Sequence, residues 1–506
     1  MGIMPLLERV HHGLLSVTSR RSAILGVLVV TLARSAIFVF WEGAHFDSNQ
    51  AVFGLMAKHL AELRAFPVFM YGQNYMLAVE AWLAAPLFLV AGASVTALKL
   101  PLLAINLVIA YLLVRSLIRE VGLPPIAAAG AAIFFVLPGP GTAARLLEAS
   151  GGTLEPLLYV LLLWITRDRP ALCGLVLGVG FLNREFTIYG FASLLALAAA
   201  RRTLISHKGL RRLATTLGVA AAVWVGVQIV SRYGAAMGPG TTAASLHGRA
   251  AAPIQVARSL CIDWGAVPRG FLHIATIHWP LLFATKVAPV RQFNIESDVV
   301  QGASGAGLVL GIAMLVALIR IAARLARERE WRREYDLCAY LVLVGVLSVS
   351  GYVIGRCGGV APVKMRYDML SILGAVGLAA LYLRVERATW LKAGWLVLLL
   401  TWAACSATAH GRLWWEYLDR PPVGGKRRIA QELQARGIRY GIAPFETAYP
   451  VTFLTGEQII VASSNRIRIL AYQTEFRAHR NEAVRIERGP CPRGTRAIAG
   501  VYFCAP

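Results

Sequence analysis

The chain has 506 residues, of which 57% are hydrophobic and only 15% charged, with a mean hydropathy of +0.59. A soluble domain carries about 25% charged residues, so a soluble enzyme is excluded and a polytopic membrane protein is expected. The net charge of +24 would point to nucleic acid in a soluble protein. Here the basic residues sit in short loops between apolar runs, where they read as a topology signal, and no aromatic-basic nucleic-acid motif accompanies them.

A membrane helix needs about 20 mainly apolar residues. The first such run, 22–41, follows Arg9, Arg20 and Arg21, which places the N-terminus in the cytoplasm. It is too long for a signal-peptide core and has no clear cleavage site, so it reads as an uncleaved helix. Asp47 then lies outside. From Asp47 to Arg64, Val52, Leu55, Met56, Leu60 and Leu63 recur at helical spacing and predict an amphipathic helix at the interface. A turn-rich aromatic stretch follows, with Phe66, Pro67, Phe69, Tyr71, Gly72 and Tyr75. Residues 77–92 are apolar but short and contain Glu80 and Pro86. They predict a helix lying on or dipping into the outer leaflet; a full span is the competing reading and would invert everything after it.

The arginines decide between these. Spans at 97–118, 124–139, 154–166, 171–183, 187–200, 213–231, 303–322, 337–355, 367–383 and 393–410 bring every basic cluster to the cytoplasmic side. Those clusters are Arg115 and Arg119, Arg167 and Arg169, the run from Arg201 to Arg212, RIAARLAREREWRR, and Arg384, Arg387 and Lys392. With the first helix this makes about eleven spans. A polar segment, 232–302, falls outside and carries His247, Trp264, His273, His278 and Trp279, which are expected to shape an acceptor site. The last stretch also falls outside. Its strand-like runs at 438–442 and 459–462, after a helix near 425–436, predict a small α+β domain. The expected organisation is an all-α transmembrane domain, 1–410, and an extracytoplasmic domain, 411–506.

None of the seven cysteines forms a CxxC pair, which argues against a structural zinc site. Cys491 and Cys504 lie in the outer tail. A disulfide and two unrelated thiols are equal readings there, because spacing does not define geometry.

Five residues stand out chemically, one of them with an alternate. Asp47, a carboxylate at a membrane rim beside apolar surface, suits a general base or a metal ligand; Asp-Ser-Asn is equally good helix-capping sequence. His45 could join it at a metal or be a solvated polar group. Glu155, with Glu148 as alternate, enters an apolar segment from the outside, where an acid is costly unless paired or used. Gly151-Gly152 beside it would let backbone approach a ligand closely; helix-dipole complementation is the plainer role. Arg184 lies on the outer side, where the positive-inside rule would not put it. It suits a phosphate ligand or an ion pair with Glu185. Arg366, entering a span from the same side, could reach that phosphate or snorkel.

This layout resembles the GT-C superfamily of polyprenyl-phosphate-sugar glycosyltransferases, in the branch with the protein O-mannosyltransferases and the lipid A aminoarabinose transferases. The resemblance rests on FDSNQ after the first helix, the stretch from Asp47 to Gly92, GGTLEP, NREF, MRYDML and AYPVTFLTGEQIIVAS. It implies a GT-C-type fold with interfacial helices in the first outer loop. It also implies inverting transfer of a sugar from a polyprenyl-phosphate donor to a protein, lipid or glycan acceptor. Asp47 and Glu155 would be catalytic, and Arg184 and Arg366 would bind the donor phosphate. Tyr71, Gln73, Asn74, Tyr75 and Glu80 would belong to the acceptor or donor loop. Ser48 or Asn49 replaces the second acid of the family motif, so a divalent ion at Asp47 and His45 is left open beside a metal-free reaction. A bacterial-type plasma membrane is the implied location. A lipid transporter or flippase, a polysaccharide polymerase or ligase, and a membrane scaffold are the rival readings. Most charges fall at span ends, and the acidic first loop accompanies a soluble tail, which favours the enzyme.

Overall fold

The computed structural model describes residues 19–41, 45–234, 260–283, 304–328, 331–357, 362–487, 489–490 and 500–504. The predicted segments are helical: α1 (Arg20–Phe40), α2 (Ser48–Ala61), α3 (Val79–Ala91), α4 (Val95–Arg119), α5 (Pro125–Ala131), α6 (Ile133–Val136), α7 (Pro140–Arg145), α8 (Glu155–Thr166), α9 (Pro170–Asn183), α10 (Thr187–Ala200) and α11 (His207–Gly234). After a described segment holding α12 (Val267–His273), a π-helical turn (Ile274–His278) and α13 (Trp279–Leu282) come α14 (Ser304–Glu328), α15 (Asp336–Gly355), α16 (Ser371–Val385) and α17 (Thr389–Asp419).

Among the described residues six helices are long and apolar enough to cross a membrane: α1, α4, α11, α14, α15 and α17. Helices α8, α9, α10 and α16 occupy predicted spans but have only 12, 14, 14 and 15 residues. The predicted span at 124–139 is broken into α5 and α6. Arg34, 1% exposed in α1, caps the end of α6. Its Nη2 donates to Asn106 Oδ1 at 2.7 Å and to the Phe135 carbonyl at 3.4 Å, and its Nε donates to the Val136 carbonyl at 3.3 Å. These are carbonyls that a helix end leaves without intrahelical partners.

Helix α3, with 13 residues, is too short to cross, and it exposes Trp82, Leu83, Leu89 and Val90. Helix α2 differs from its expected amphipathic form. Positions 50–57 are all buried, so the helix is covered on more than its apolar face.

The cover comes from the C-terminal unit, in which helices and strands alternate: α18 (Gly425–Ala435), β1 (Tyr440–Ala443), α19 (Phe445–Leu454), β2 (Ile460–Ser463), α20 (Leu470–Ala478), β3 (Val484–Glu487) and β4 (Tyr502–Cys504). The sheet order is β2-β1-β3-β4, with β1 parallel to both neighbours and β4 antiparallel to β3. Ile429, Leu433, Val451, Val461 and Phe503 form its own core. Tyr449, Phe453 and Tyr472 instead pack into the large cluster that contains α2 and α3. The boundary placed at 410 falls inside α17, which runs unbroken through it.

Glu457, at a left-handed φ of 68°, anchors the docking. It accepts from Lys58 Nζ at 2.6 Å, from Tyr472 Oη at 2.7 Å, and from Arg64, and it lies 3.0 Å from His59 Nε2. Burial alone would raise its carboxyl, but hydrogen bonds from His59, Arg64 and Lys58 hold it well below the usual 4.5. A depressed carboxyl contributes stability that is complete above the unfolded value and is lost as pH falls toward the folded one. Glu457→Gln is therefore expected to cost on the order of 2 kcal/mol at pH 7. In thermal unfolding of both proteins, the gap between them should narrow at pH 3.

A disulfide joins Cys261 to Cys357, 96 positions apart, a link no sequence spacing indicated. Cys504 is disulfide-bonded; Cys491 lies outside the described residues, as does His247.

Candidate functional site

The site begins where α1 ends. Lys99 of α4, 1% exposed, donates from Nζ to the carbonyls of Phe38 (3.0 Å) and His45 (2.6 Å), and so ties the end of α1 to His45. Asp47 caps α2, its Oδ1 accepting from the Gln50 N–H at 2.9 Å. Asp47 is half-buried, so the capping role does not hide its carboxylate.

The second acid beside Asp47 is Glu148, in the loop after α7. Burial pushes its carboxyl up to about 7; the negative charge of Asp47 adds to that rise, while Arg145, Lys99 and Arg366 oppose it. Arg145 Nη1 lies 3.5 Å from Glu148. Two acids and three cations thus act on one another at the head of α2.

Arg366 also faces a second group. Burial would raise the Tyr367 phenol, but Arg366, Arg184 and Arg356 together bring it below its ordinary value. The guanidinium carbons of Arg356 and Arg366 lie 4.9 and 5.4 Å from the Tyr367 ring centre. Tyr367 stacks on Tyr352 at 5.1 Å and meets Phe186 edge-on at 5.2 Å. Arg184 is 6% exposed; its Nη1 lies 3.3 Å from Met76 Sδ, and its Nε has no partner. Glu185, the expected pairing partner of Arg184, instead lies 4.0 Å from Arg356. Three guanidinium groups with one compensating acid leave an excess of positive charge around Tyr367, and guanidinium forks match phosphate geometry.

Glu155 lies elsewhere. Its carboxyl, 1% exposed, faces that of Glu80, which is 2% exposed. Burial and the facing Glu155 push the Glu80 carboxyl well above its usual range, while the backbone N–H groups of Gly151 and Gly152 pull the other way. Glu80 accepts from Gly151 N–H at 2.8 Å. Two buried acids thus meet between α3 and α8, and the Glu155 carboxyl oxygens have no hydrogen-bond partner among the described residues. The glycines beside it do permit close approach, but to the protein itself. A Cβ on Gly151 would lie 2.5 Å from Met76 Sδ, and one on Gly152 2.8 Å from the Arg184 side chain.

The loop residues face the C-terminal unit. Tyr71 Oη lies 3.0 Å from His59 Nδ1. Gln73, with its carbonyl turned toward the donors, accepts from Arg468 at 2.9 Å and from Tyr75 Oη at 3.1 Å. Asn74 is half-buried between them.

The residues around Asp47 do not suit a metal. His45 is buried, its Nε2 is 3.0 Å from Tyr417 Oη, and burial and the Lys99 charge push its ring well toward the neutral form. Among the described residues no three potential ligands gather, and the acids are already balanced by Lys99, Arg145 and Arg366.

Sequence reasoning missed Lys99, Arg145, Arg356 and Tyr367, and it ranked Glu148 below Glu155. Arg356 carried a usable signal. Like Arg184 it follows an apolar run on the side where basic residues are not expected.

The fold and site define a polytopic membrane protein with an acid pair and an arginine–tyrosine cluster at one end of its helices. No family model and no curated protein matches the chain. Among solved structures it is similar to ArnT from Cupriavidus metallidurans in the apo state, at 11% identity and a TM-score of 0.42, covering 95% of this chain and 98% of that one. It is also similar to the same protein bound to undecaprenyl phosphate, at 12% identity and a TM-score of 0.39, covering 95% and 96%. The residue roles below come from this chain's own geometry.

Proposed function

We propose that the protein is a membrane glycosyltransferase that moves one sugar from a polyprenyl phosphate to an acceptor hydroxyl on the extracytoplasmic face, with inversion. The observation that carries this reading is Arg366, which acts at once on the acid pair and on the arginine–tyrosine cluster. A base and an anion site so linked suit one displacement. Asp47 takes the proton of the acceptor hydroxyl, whose oxygen attacks the anomeric carbon. The bond from that carbon to the phosphate oxygen breaks, and Arg184, Arg356 and Arg366 stabilise the departing lipid phosphate. Lys99, Arg145 and Arg366 supply the positive charge at the acids, so the proposed reaction needs no metal ion.

The membrane is proposed to be a bacterial-type plasma membrane with the N-terminus cytoplasmic. The Cys261–Cys357 disulfide lies on the face assigned to the outside and supports that assignment, because such bonds persist in oxidising compartments. A flippase would need charges along several spans; the charges that converge here sit in loops and at helix ends.

The test is incubation of the purified protein with a panel of radiolabelled polyprenyl-phosphate sugars. Release of free polyprenyl phosphate by the wild type and not by Asp47→Asn establishes the reaction class and names the sugar. Binding without release, even with membrane extract added as acceptor, would move the assignment to a transporter.

A pH profile gives a second check. Ionisation of Glu148 places a like charge beside Asp47 and makes it a stronger base. The rate should rise through about pH 7, and Glu148→Gln should give a lower rate without that step. A profile unchanged by Glu148→Gln would remove Glu148 from the site.

A further inference from the structure

The acids and cations given roles in the proposed reaction all belong to the helical domain, yet the C-terminal unit grips the helix that carries Asp47 at both ends. At the head of α2, the Phe453 ring lies 5.5 Å from that of Phe46, the residue before Asp47, and 6.2 Å from that of Phe88. Phe453 is 3% exposed. It presses so closely on α2 that a Cβ on Gly54 would come within 2.6 Å of its ring. At the foot of α2, Lys58, His59 and Arg64 converge on Glu457. Phe453 lies in the last turn of α19, and Glu457 follows in the turn that closes it, its N–H bonded to the Thr452 carbonyl.

We infer that the Phe453–Glu457 turn is a positioning element for the proposed reaction: Phe453 at one end and Glu457 at the other set the height and rotation of α2, and through it the Asp47 carboxylate. The inference rests on the functional reading above. Its physical basis is that a well-packed ring and a half-buried, multiply bonded carboxylate favour one placement of a helix. A displacement of about 1 Å at a reacting group can cost on the order of 10²-fold in rate. Neither residue touches substrate in this scheme.

The test uses the full-length protein with Gly54→Ala, Phe453→Leu and the double variant. Alanine ordinarily favours a helix over glycine, so a loss in Gly54→Ala reports the ring contact. Its kcat should fall about 10–100-fold with the Kd for donor unchanged. Hydrogen exchange at the Gln50 amide, which Asp47 caps, should quicken. Phe453→Leu makes room for the added methyl, so the double variant should recover most of both losses. A general structural defect would not recover in the double variant and would weaken donor binding as well. Wild-type kcat and exchange in Gly54→Ala, or losses that the double variant keeps, would overturn the inference. If Gly54→Ala does not fold, Glu457→Gln gives the same readouts from the foot of the helix. Should the wild type transfer no sugar from any donor, the functional reading fails, while Gln50 exchange across the variants still decides whether the turn places α2.

Discussion

Asp47→Asn is expected to lower sugar transfer by about 10²–10⁴-fold, the usual contribution of a positioned base, with fold and donor binding retained. The substitution is informative because Asp47 has two roles. It caps α2 through the Gln50 N–H, and an asparagine caps about as well as an aspartate. The helix start therefore survives and only the basicity is lost. Asp47→Ala would remove both and cost roughly 1 kcal/mol of stability in addition. Measuring release of polyprenyl phosphate together with donor affinity separates the two roles. Full activity in Asp47→Asn, or a protein that no longer folds, would end the catalytic assignment.

Arg366→Ala is expected to weaken donor binding about 10–100-fold, as loss of charge-assisted hydrogen bonds of roughly 1.5–3 kcal/mol requires. A second effect distinguishes it from a general binding defect. Arg366 is one of the cations that oppose the rise of the Glu148 carboxyl. Without it, that carboxyl should move above about 7, and the rising limb of the rate profile should shift to higher pH. Arg366→Lys should restore the limb more fully than the affinity, because an ammonium keeps the charge without the planar fork. Titration of labelled donor, together with rates across pH 6 to 9, checks both.

Much of this architecture could be read along the chain. Hydrophobic length and arginine placement located the membrane segments, because both are properties of contiguous residues. They did not show where a segment breaks: the run at 124–139 is split into α5 and α6, whereas the short runs at 171–183 and 187–200 match α9 and α10. Asp47, Arg184 and Arg366 were visible as charges in unexpected places. The choice between Glu148 and Glu155 was not visible. Glu148 lies in the loop before α8 and Glu155 opens α8, and only the fold sets Glu148 near Asp47 and Glu155 near Glu80. The burial of α2 was equally hidden, since part of its cover, including Phe453, comes from nearly 400 residues further along. Cys261–Cys357 was hidden for the same reason.

Helix α17 has 31 residues. At 1.5 Å per residue it is roughly 46 Å long, against a hydrocarbon core of about 30 Å. Its last turns are braced against the end of α1 by Trp414, whose ring meets that of Trp41 at 5.1 Å, and by Tyr417 on His45. The surplus is therefore a rigid mast in place of a tether. The sheet is held at a fixed distance from the end of α1. Lengthening the mast by one turn would lift the domain about 5 Å and swing it through a full rotation, whereas inserting two residues would turn its contact face away from α2.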